Sequence, residues 1–201
     1  MVPTVPHPRP PLDRNDPVRR WYEHELGWAT APGTPVRLRT GLRFDVLELP
    51  VEAGRAVLHH LGPKAPVAVQ GGVMRILVAA GGADELPGLL DWLEWGGLPL
   101  DLSAIGAGGT MEAPLPPGLT GDHPGLTGVQ GAAVWLRPPE PGCEVEPTLP
   151  ALPSLASPDG QGPLPGGGTA GSGLVRLVDT AATQCHRVRL RRMCRQPLAF
   201  S

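Results

Sequence analysis

The stretch Phe44-Asp45-Val46-Leu47-Glu48-Leu49-Pro50 decides the fold of this chain. Its apolar residues predict a buried strand, and Pro50 ends that strand because proline cannot donate a hydrogen bond to a neighbouring strand. Asp45 and Glu48 interrupt the apolar run. Two carboxylates spaced in this way indicate either a metal site or two solvated positions at a sheet edge, and the stretch alone leaves both alternatives open.

The residues after Pro50 alternate between helical and extended patterns. They predict a helix over 51–61, strands over 67–69 and 74–79, a second helix over 84–95 and a strand over 100–105. Gly71-Gly72, between the two middle strands, is typical of a hairpin turn. The order strand, helix, strand, strand, helix, strand predicts an α+β fold. This fold has a split βαβ sheet of the ferredoxin or RNA-recognition-motif type, with helices on one face.

Further elements flank this unit. Asp16-Pro17 predicts a helix start, since aspartate caps a helix and proline fits its first turn. Extra strands are predicted over 28–31, 36–39, 110–113 and 132–136. The composition divides the chain into a disordered Pro-rich tail (1–14), the α+β domain (15–138), a flexible Pro/Gly-rich linker (139–173), a basic amphipathic helix (174–195) and a tail (196–201).

The composition indicates how many domains to expect and which partners and compartment are compatible with the chain. The 201 residues are enough for one domain with a core, and the formal net charge of −2 argues against a global field that attracts nucleic acid or membranes. The sequence has no long apolar run and no charged-then-apolar leader, so we expect a cytoplasmic protein with no membrane partner. Three cysteines without metal-ligand spacing fit a reducing compartment.

Asp45 and Asp101 are the candidate metal ligands. Asp101 lies on the last strand of the split βαβ unit and could approach Asp45 on the open face of the sheet. Paired carboxylates of this kind suit Mg²⁺, or Mn²⁺, because hard cations prefer oxygen ligands. Side chains alternate along a strand, so Glu48 would join them only through a bulge. The alternative is that these acids are ordinary polar residues near strand ends.

The paired glycines are a candidate phosphate site. Gly71 and Gly72 allow a backbone to come close to a phosphate, and Arg75 would supply positive charge. A plain hairpin turn requires the same two glycines, so this pattern also has a purely structural interpretation.

The C-terminal helix carries the strongest cluster of charge. Its arginines could hold a nucleic-acid backbone or an acidic protein partner. A solvated basic helix end is the alternative, since cations are favourable at the C-terminal end of a helix dipole. The residues of this cluster are Arg187, Arg189, Arg191 and Arg192.

The order of five segments along the chain is similar to that of a known protein family. The chain carries GWATAP at 27–32, the stretch 44–50, APVAVQGG at 65–72, LDLSAIGAGGTMEAP at 100–114 and then Trp135. In this order they resemble the N-terminal domain of bifunctional DNA primase/polymerases, which belong to the archaeo-eukaryotic primase superfamily. The resemblance covers roughly residues 18–138. It implies an RNA-recognition-motif-like sheet, metal-dependent nucleotidyl transfer and catalytic acids at Asp45, Glu48 and Asp101.

The chain departs from the family's pattern at two motifs. The family's first motif has two acids one position apart, whereas Leu47 fills that gap here and the next acid is Glu48. Its second motif has a histidine soon after the paired glycines, whereas residues 73–75 are Val-Met-Arg. Asp101 matches the third motif.

We therefore expect a degenerate primase/polymerase-like domain that binds nucleotide or nucleic acid and has lost polymerase activity. If activity survived, it would be that of a metal-dependent DNA primase/polymerase. The alternative is a non-catalytic scaffold that docks on a protein through the helix 174–195.

Overall fold

The computed structural model describes residues 16–119, 131–152 and 173–194. The strands are β1 (Thr30–Ala31), β2 (Arg37–Arg39), β3 (Phe44–Pro50), β4 (Val67–Gln70), β5 (Val73–Ala79), β6 (Ser103–Ile105), β7 (Thr110–Glu112) and β8 (Val134–Arg137). The helices are α1 (Pro17–Arg20), α2 (Val51–Val57), α3 (Gly82–Trp92) and α4 (Gly173–Cys194). A π-helical turn, Trp21–Glu25, extends α1, and 3₁₀ turns lie at Leu58–His60 and Glu146–Thr148.

The main sheet has five antiparallel strands in the order β6-β3-β5-β4-β8. Without β8, the strands of the predicted unit run 4-1-3-2 across the sheet, which is the arrangement of a split βαβ fold. β3 is central and pairs along its whole length with β5, from Phe44 opposite Ala79 to Pro50 opposite Val73. The predicted α+β architecture is confirmed.

The β4–β5 hairpin turns where the sequence predicts. Gly71 and Gly72 both have positive φ, at +54° and +89°. A two-residue hairpin with this backbone matches the twist of its strands, and only glycine adopts it without strain.

Helices cover one face of the main sheet. Leu47 and Leu49 of β3 lie in a core cluster with residues of α2, α3 and α4. The predicted helix over 174–195 is α4, and its apolar stripe belongs to this core; Leu177 and Cys185 are fully buried there. Each fully buried leucine stabilises the fold by about 1.5–3 kcal/mol, so α4 is an integral part of the domain.

The other face is covered at one end, which differs from the open face that we expected. Phe44 and Val46 pack there beneath α1 and a second sheet of order β1-β2-β7. Tyr22 anchors this layer: its hydroxyl donates to the carbonyl oxygen of Pro114 at 2.6 Å and accepts from Nε1 of Trp135 at 2.8 Å.

Residues 139–152 pack on the domain, in contrast to the linker predicted over 139–173. Val145 and Leu149 are buried in the aromatic core, and the amide of Ala79 donates to the carbonyl of Pro150. These contacts, together with the ion pair between Arg43 and Glu146 at 2.6 Å, hold a proline-rich segment that has little chain entropy to lose. The rest of the predicted linker (153–172) and the predicted tails (1–14 and 196–201) lie outside the described residues.

In the part of the chain that the structure describes, no helix is both long enough and apolar enough to cross a membrane.

Candidate functional site

An open groove of about 520 Å³ lies at one end of the main sheet. It brings together residues from the ends of β3, β5, β6 and α4. Their convergence follows from the strand register, because Pro50 pairs with Val73 beside the hairpin turn and Glu48 pairs with Ser103. Five of the sequence-predicted site residues line the groove: Glu48, Gly71, Gly72, Asp101 and Arg192.

Glu48 is neutralised by an arginine within the sheet. Nε of Arg75 donates to Oε1 of Glu48 at 2.7 Å, and both side chains are largely buried. The same guanidinium donates to Gln70, whose amide donates to Oε2 of Glu112 at 2.8 Å. The four side chains form a continuous polar chain that joins the main sheet to β7 of the second sheet. Arg75 therefore fixes a carboxylate and is less free to meet a phosphate.

Asp101 is neutralised more loosely. Nη1 of Arg192 lies 3.4 Å from its Oδ2, and Nη2 of Arg192 lies 3.9 Å from Glu52 on α2. The Asp101 and Arg192 side chains are about half exposed, so solvent screens the pair and it contributes little stability. Arg192 can therefore leave Asp101 for an anionic ligand in the groove at small cost.

Cys185 lies directly behind Asp101. Its thiol faces the Asp101 carbonyl at 3.5 Å, and burial raises the pKa of this thiol to about 12. A protonated, inaccessible thiol is structural, so Cys185 supplies no nucleophile to the groove.

Asp45 lies away from the groove. It is completely buried on the helix-covered face, where alternation places it with Leu47 and Leu49. Its Oδ2 accepts a hydrogen bond from the amide of Ala83 in the first turn of α3 at 3.0 Å, so it satisfies a donor that the helix itself leaves unpaired. The other oxygen, Oδ1, has no hydrogen-bond partner among the described residues.

The expected approach of Asp45 to Asp101 does not occur. Ser103 pairs with Glu48, three residues along β3 from Asp45, and Asp101 lies two residues further towards the hairpin end. The total offset from Asp45 is therefore five residues of strand, or about 17 Å, which is too far for two carboxylates to share one ion. The side chains of Asp45 and Glu48 also point to opposite faces, and β3 has no bulge that would align them.

The fit of Mg²⁺ or Mn²⁺ to these residues is poor. Two-metal nucleotidyl transfer requires several converging carboxylates. Here Asp45 lies on the helix-covered face of the sheet, away from the groove. Glu48 is paired with Arg75, and Asp101 is paired with Arg192. Within residues 16–119, 131–152 and 173–194, no group of three acidic, histidine or cysteine side chains is placed to hold a metal ion.

The basic cluster lies on the exposed last turns of α4. Arg187, Arg191 and Arg192 are exposed, and Arg189 is half-buried. Among the described residues, Arg192 is the member of this cluster that makes ion pairs. The buried stripe of α4 faces the core, and its last turns present these arginines together with the exposed Leu190 and Met193.

Sequence reasoning missed Gln70, Glu112 and Glu52. Gln70 and Glu112 belong to different sheets, so their contact depends on how the two sheets stack. Glu52 meets Arg192 only because α4 docks beside α2. The available signal was the polar residue at the end of each strand, Gln70 of β4 and Glu112 of β7, but a polar strand end does not identify its partner.

Comparisons with family models, with curated proteins and with solved structures each return no match to this chain.

Proposed function

We propose that this chain is a degenerate primase/polymerase-like domain that binds nucleotide or nucleic acid at the groove and no longer transfers nucleotides. One observation carries the proposal. The 4-1-3-2 sheet places Glu48, Asp101, the Gly71-Gly72 turn and Arg192 around one groove, although these residues are far apart in the sequence.

The groove has features that favour a phosphate ligand. Side chains are absent at Gly71 and Gly72, and apart from their chain neighbours no atom of the described residues lies within 4 Å of where their β-carbons would be, so a ligand can approach the backbone. Arg192 stands at the rim with a half-exposed guanidinium, and arginine binds phosphate with paired donors. The groove carboxylates are already paired with arginines, which reduces their repulsion of an anion.

The same pairing argues against catalysis. A carboxylate that accepts from a guanidinium has fewer lone pairs and less net charge for a metal ion. Asp45, the acid that the resemblance assigns to the first motif, supports the start of α3 instead. Binding without nucleotidyl transfer is the activity that this arrangement favours.

The test has two parts. Binding of a labelled single-stranded oligonucleotide is expected to weaken steeply with salt, and to weaken further when Arg187, Arg189, Arg191 and Arg192 are changed together to alanine. Lys64→Ala is the matched control, because Lys64 is an exposed cation paired with Glu140 away from the groove. No detectable binding at low salt would overturn the proposal.

The second part concerns catalysis. A primed template is expected to show no extension with Mg²⁺ or with Mn²⁺. Extension that disappears in Asp101→Ala would contradict the loss of activity and would support an active metal-dependent primase/polymerase.

A second candidate is a non-catalytic interaction scaffold. The observation that favours it is the exposure of Leu190 and Met193 beside the arginines of α4. Nucleic acid offers little to such aliphatic side chains, whereas a protein partner can bury them. Retained capture of a protein partner by a variant that binds no oligonucleotide would distinguish the scaffold from the nucleotide-binding domain.

A further inference from the structure

The C-terminal end of α3 exposes a large aromatic side chain among acids. Trp92 is 71% exposed, and Asp91 and Glu94 on either side of it are exposed too. Among the described residues these two acids make no ion pair within 4.0 Å. We name Asp91, Trp92 and Glu94 the acidic end of α3. An exposed tryptophan rimmed by charge is typical of an interaction surface.

Backbone strain marks the same place. Glu94 has φ of +65°, in the left-handed region that residues other than glycine rarely adopt. Glycine is the usual residue just after a helix end. Here Glu94 occupies that position, and the glycines Gly96 and Gly97 come two and three residues later. The amide of Trp95 donates to the carbonyl of Leu90 and the amide of Glu94 to that of Asp91, which is the Schellman arrangement, so Glu94 closes the helix and its side chain points away from the last turn's hydrogen bonds.

The C-terminal end of α4 has the opposite charge and the same apolar character. Leu190 is 46% exposed and Met193 is 61% exposed. Leu190 and Arg191 lie three and four residues after Arg187. They are therefore both neighbours of Arg187 on the surface of the helix. We name Arg187, Leu190, Arg191 and Met193 the basic end of α4.

The two helices lie side by side. Nε1 of Trp95, just after α3, donates to Asp179 of α4 at 3.2 Å, and the ring of Trp95 lies 6.0 Å from that of His186. Both helices belong to the layer that covers one face of the main sheet. The acidic end of α3 and the basic end of α4 are therefore on the same side of the molecule.

We propose that two copies of this chain form a two-fold dimer in which the acidic end of α3 of each copy meets the basic end of α4 of the other. Each copy supplies one surface of each sign, so a two-fold axis engages both pairs at once and leaves no surface open for further growth. Tryptophan, methionine and arginine are residue types enriched in such interfaces. The dimer needs no ligand in the groove, but Arg187 and Arg191 also belong to the cluster proposed to contact an oligonucleotide, so dimer formation and oligonucleotide binding compete for this surface.

The experiment measures molar mass by light scattering on nuclease-treated protein at low salt. The wild-type chain is expected to be a dimer that dissociates as salt rises, because opposite charges hold it together. Two charge-reversed variants, Arg187→Glu/Arg191→Glu and Asp91→Arg/Glu94→Arg, are each expected to be monomeric, since like charges then meet at both contacts.

Mixing the two reversed variants provides the decisive control. One variant carries only acidic surfaces and the other only basic surfaces, so an equimolar mixture is expected to form a heterodimer. This result also shows that both variants are folded. A wild-type monomer at about 100 μM, far above the dissociation constant of a specific micromolar dimer, would overturn the proposal. Dimers that persist in both variants, or that need nucleic acid, would overturn it as well.

Discussion

Nε of Arg75 on β5 lies 2.7 Å from Oε1 of Glu48 on β3, and the two residues are directly opposite in the strand register. The pair occupies the position where the resemblance places a catalytic carboxylate next to a metal ion. A guanidinium in the sheet supplies the positive charge that the acid requires. In the proposed degenerate domain, this pairing keeps the acid in the groove without a metal ion.

Arg75→Met should destabilise the fold by about 1–3 kcal/mol, because the largely buried Glu48 carboxylate and the side-chain carbonyl oxygen of Gln70 both lose the donor that Arg75 supplies. Urea unfolding measures the change. Lys64→Met is the matched control: it breaks an exposed pair with Glu140 and should leave the unfolding midpoint almost unchanged. Equal midpoints for the two variants would mean that the Glu48–Arg75 pair has no structural role.

Asp45→Ala should cost about 1–3 kcal/mol of stability, since the part-buried amide of Ala83 loses its acceptor. Asp45→Asn should retain most of the stability, because its amide oxygen can accept the same hydrogen bond without burying a charge. Oligonucleotide binding should be unchanged in both variants. Normal stability together with lost binding in Asp45→Ala would place this residue in the site after all.

Tyr22 is the single tyrosine of the chain, so its titration can be followed by absorbance without interference. Burial raises the pKa of Tyr22 far above its ordinary value near 10, and the hydrogen bond from Trp135 opposes this shift only in part. Above about pH 10, the folded state thus keeps the phenolic proton of Tyr22 that the unfolded state releases. Stability is fully present below about pH 10 and falls as the pH rises further.

The absorbance of tyrosinate should therefore appear only as the protein unfolds in alkali. Circular dichroism recorded on the same samples provides the comparison. Tyrosinate formation near pH 10 while the protein is still folded would show that Tyr22 is accessible to solvent.

The three cysteines should divide into two classes. Cys143 and Cys194 are exposed, whereas Cys185 is buried and its pKa is raised to about 12 by burial. A maleimide should label two thiols quickly in the native state and the third only after denaturant is added. Rapid labelling of all three would mean that α4 leaves the core, and mass spectrometry of the peptides identifies which thiol has reacted.

Much of the fold could be predicted because its signals are local. The alternation in Phe44–Pro50 predicts both the strand and the separation of Asp45 from Glu48 onto opposite faces, and the paired glycines predict the hairpin. The strength of the buried stripe in α4 predicts a helix at nearly the observed boundaries.

The site could be predicted only in part because its contacts are distant in sequence. Glu48 and Arg75 are 27 residues apart and meet through the register of β3 and β5. Asp101 and Arg192 are 91 residues apart and meet only because α4 docks on the domain. The composition of residues 139–152 predicted a linker, since proline and glycine outnumber the two apolar side chains that hold this segment in place.

The central claim is that the groove binds the phosphates of a nucleotide without a divalent ion. The most direct measurement follows the backbone amide resonances of Gly71, Gly72 and Ser103 while a nucleoside triphosphate is titrated in the presence of a chelator. We predict saturable shifts at these three amides that are lost in Arg192→Ala and unchanged by added Mg²⁺. Amides that do not respond, or that respond only when Mg²⁺ is present, would contradict the account.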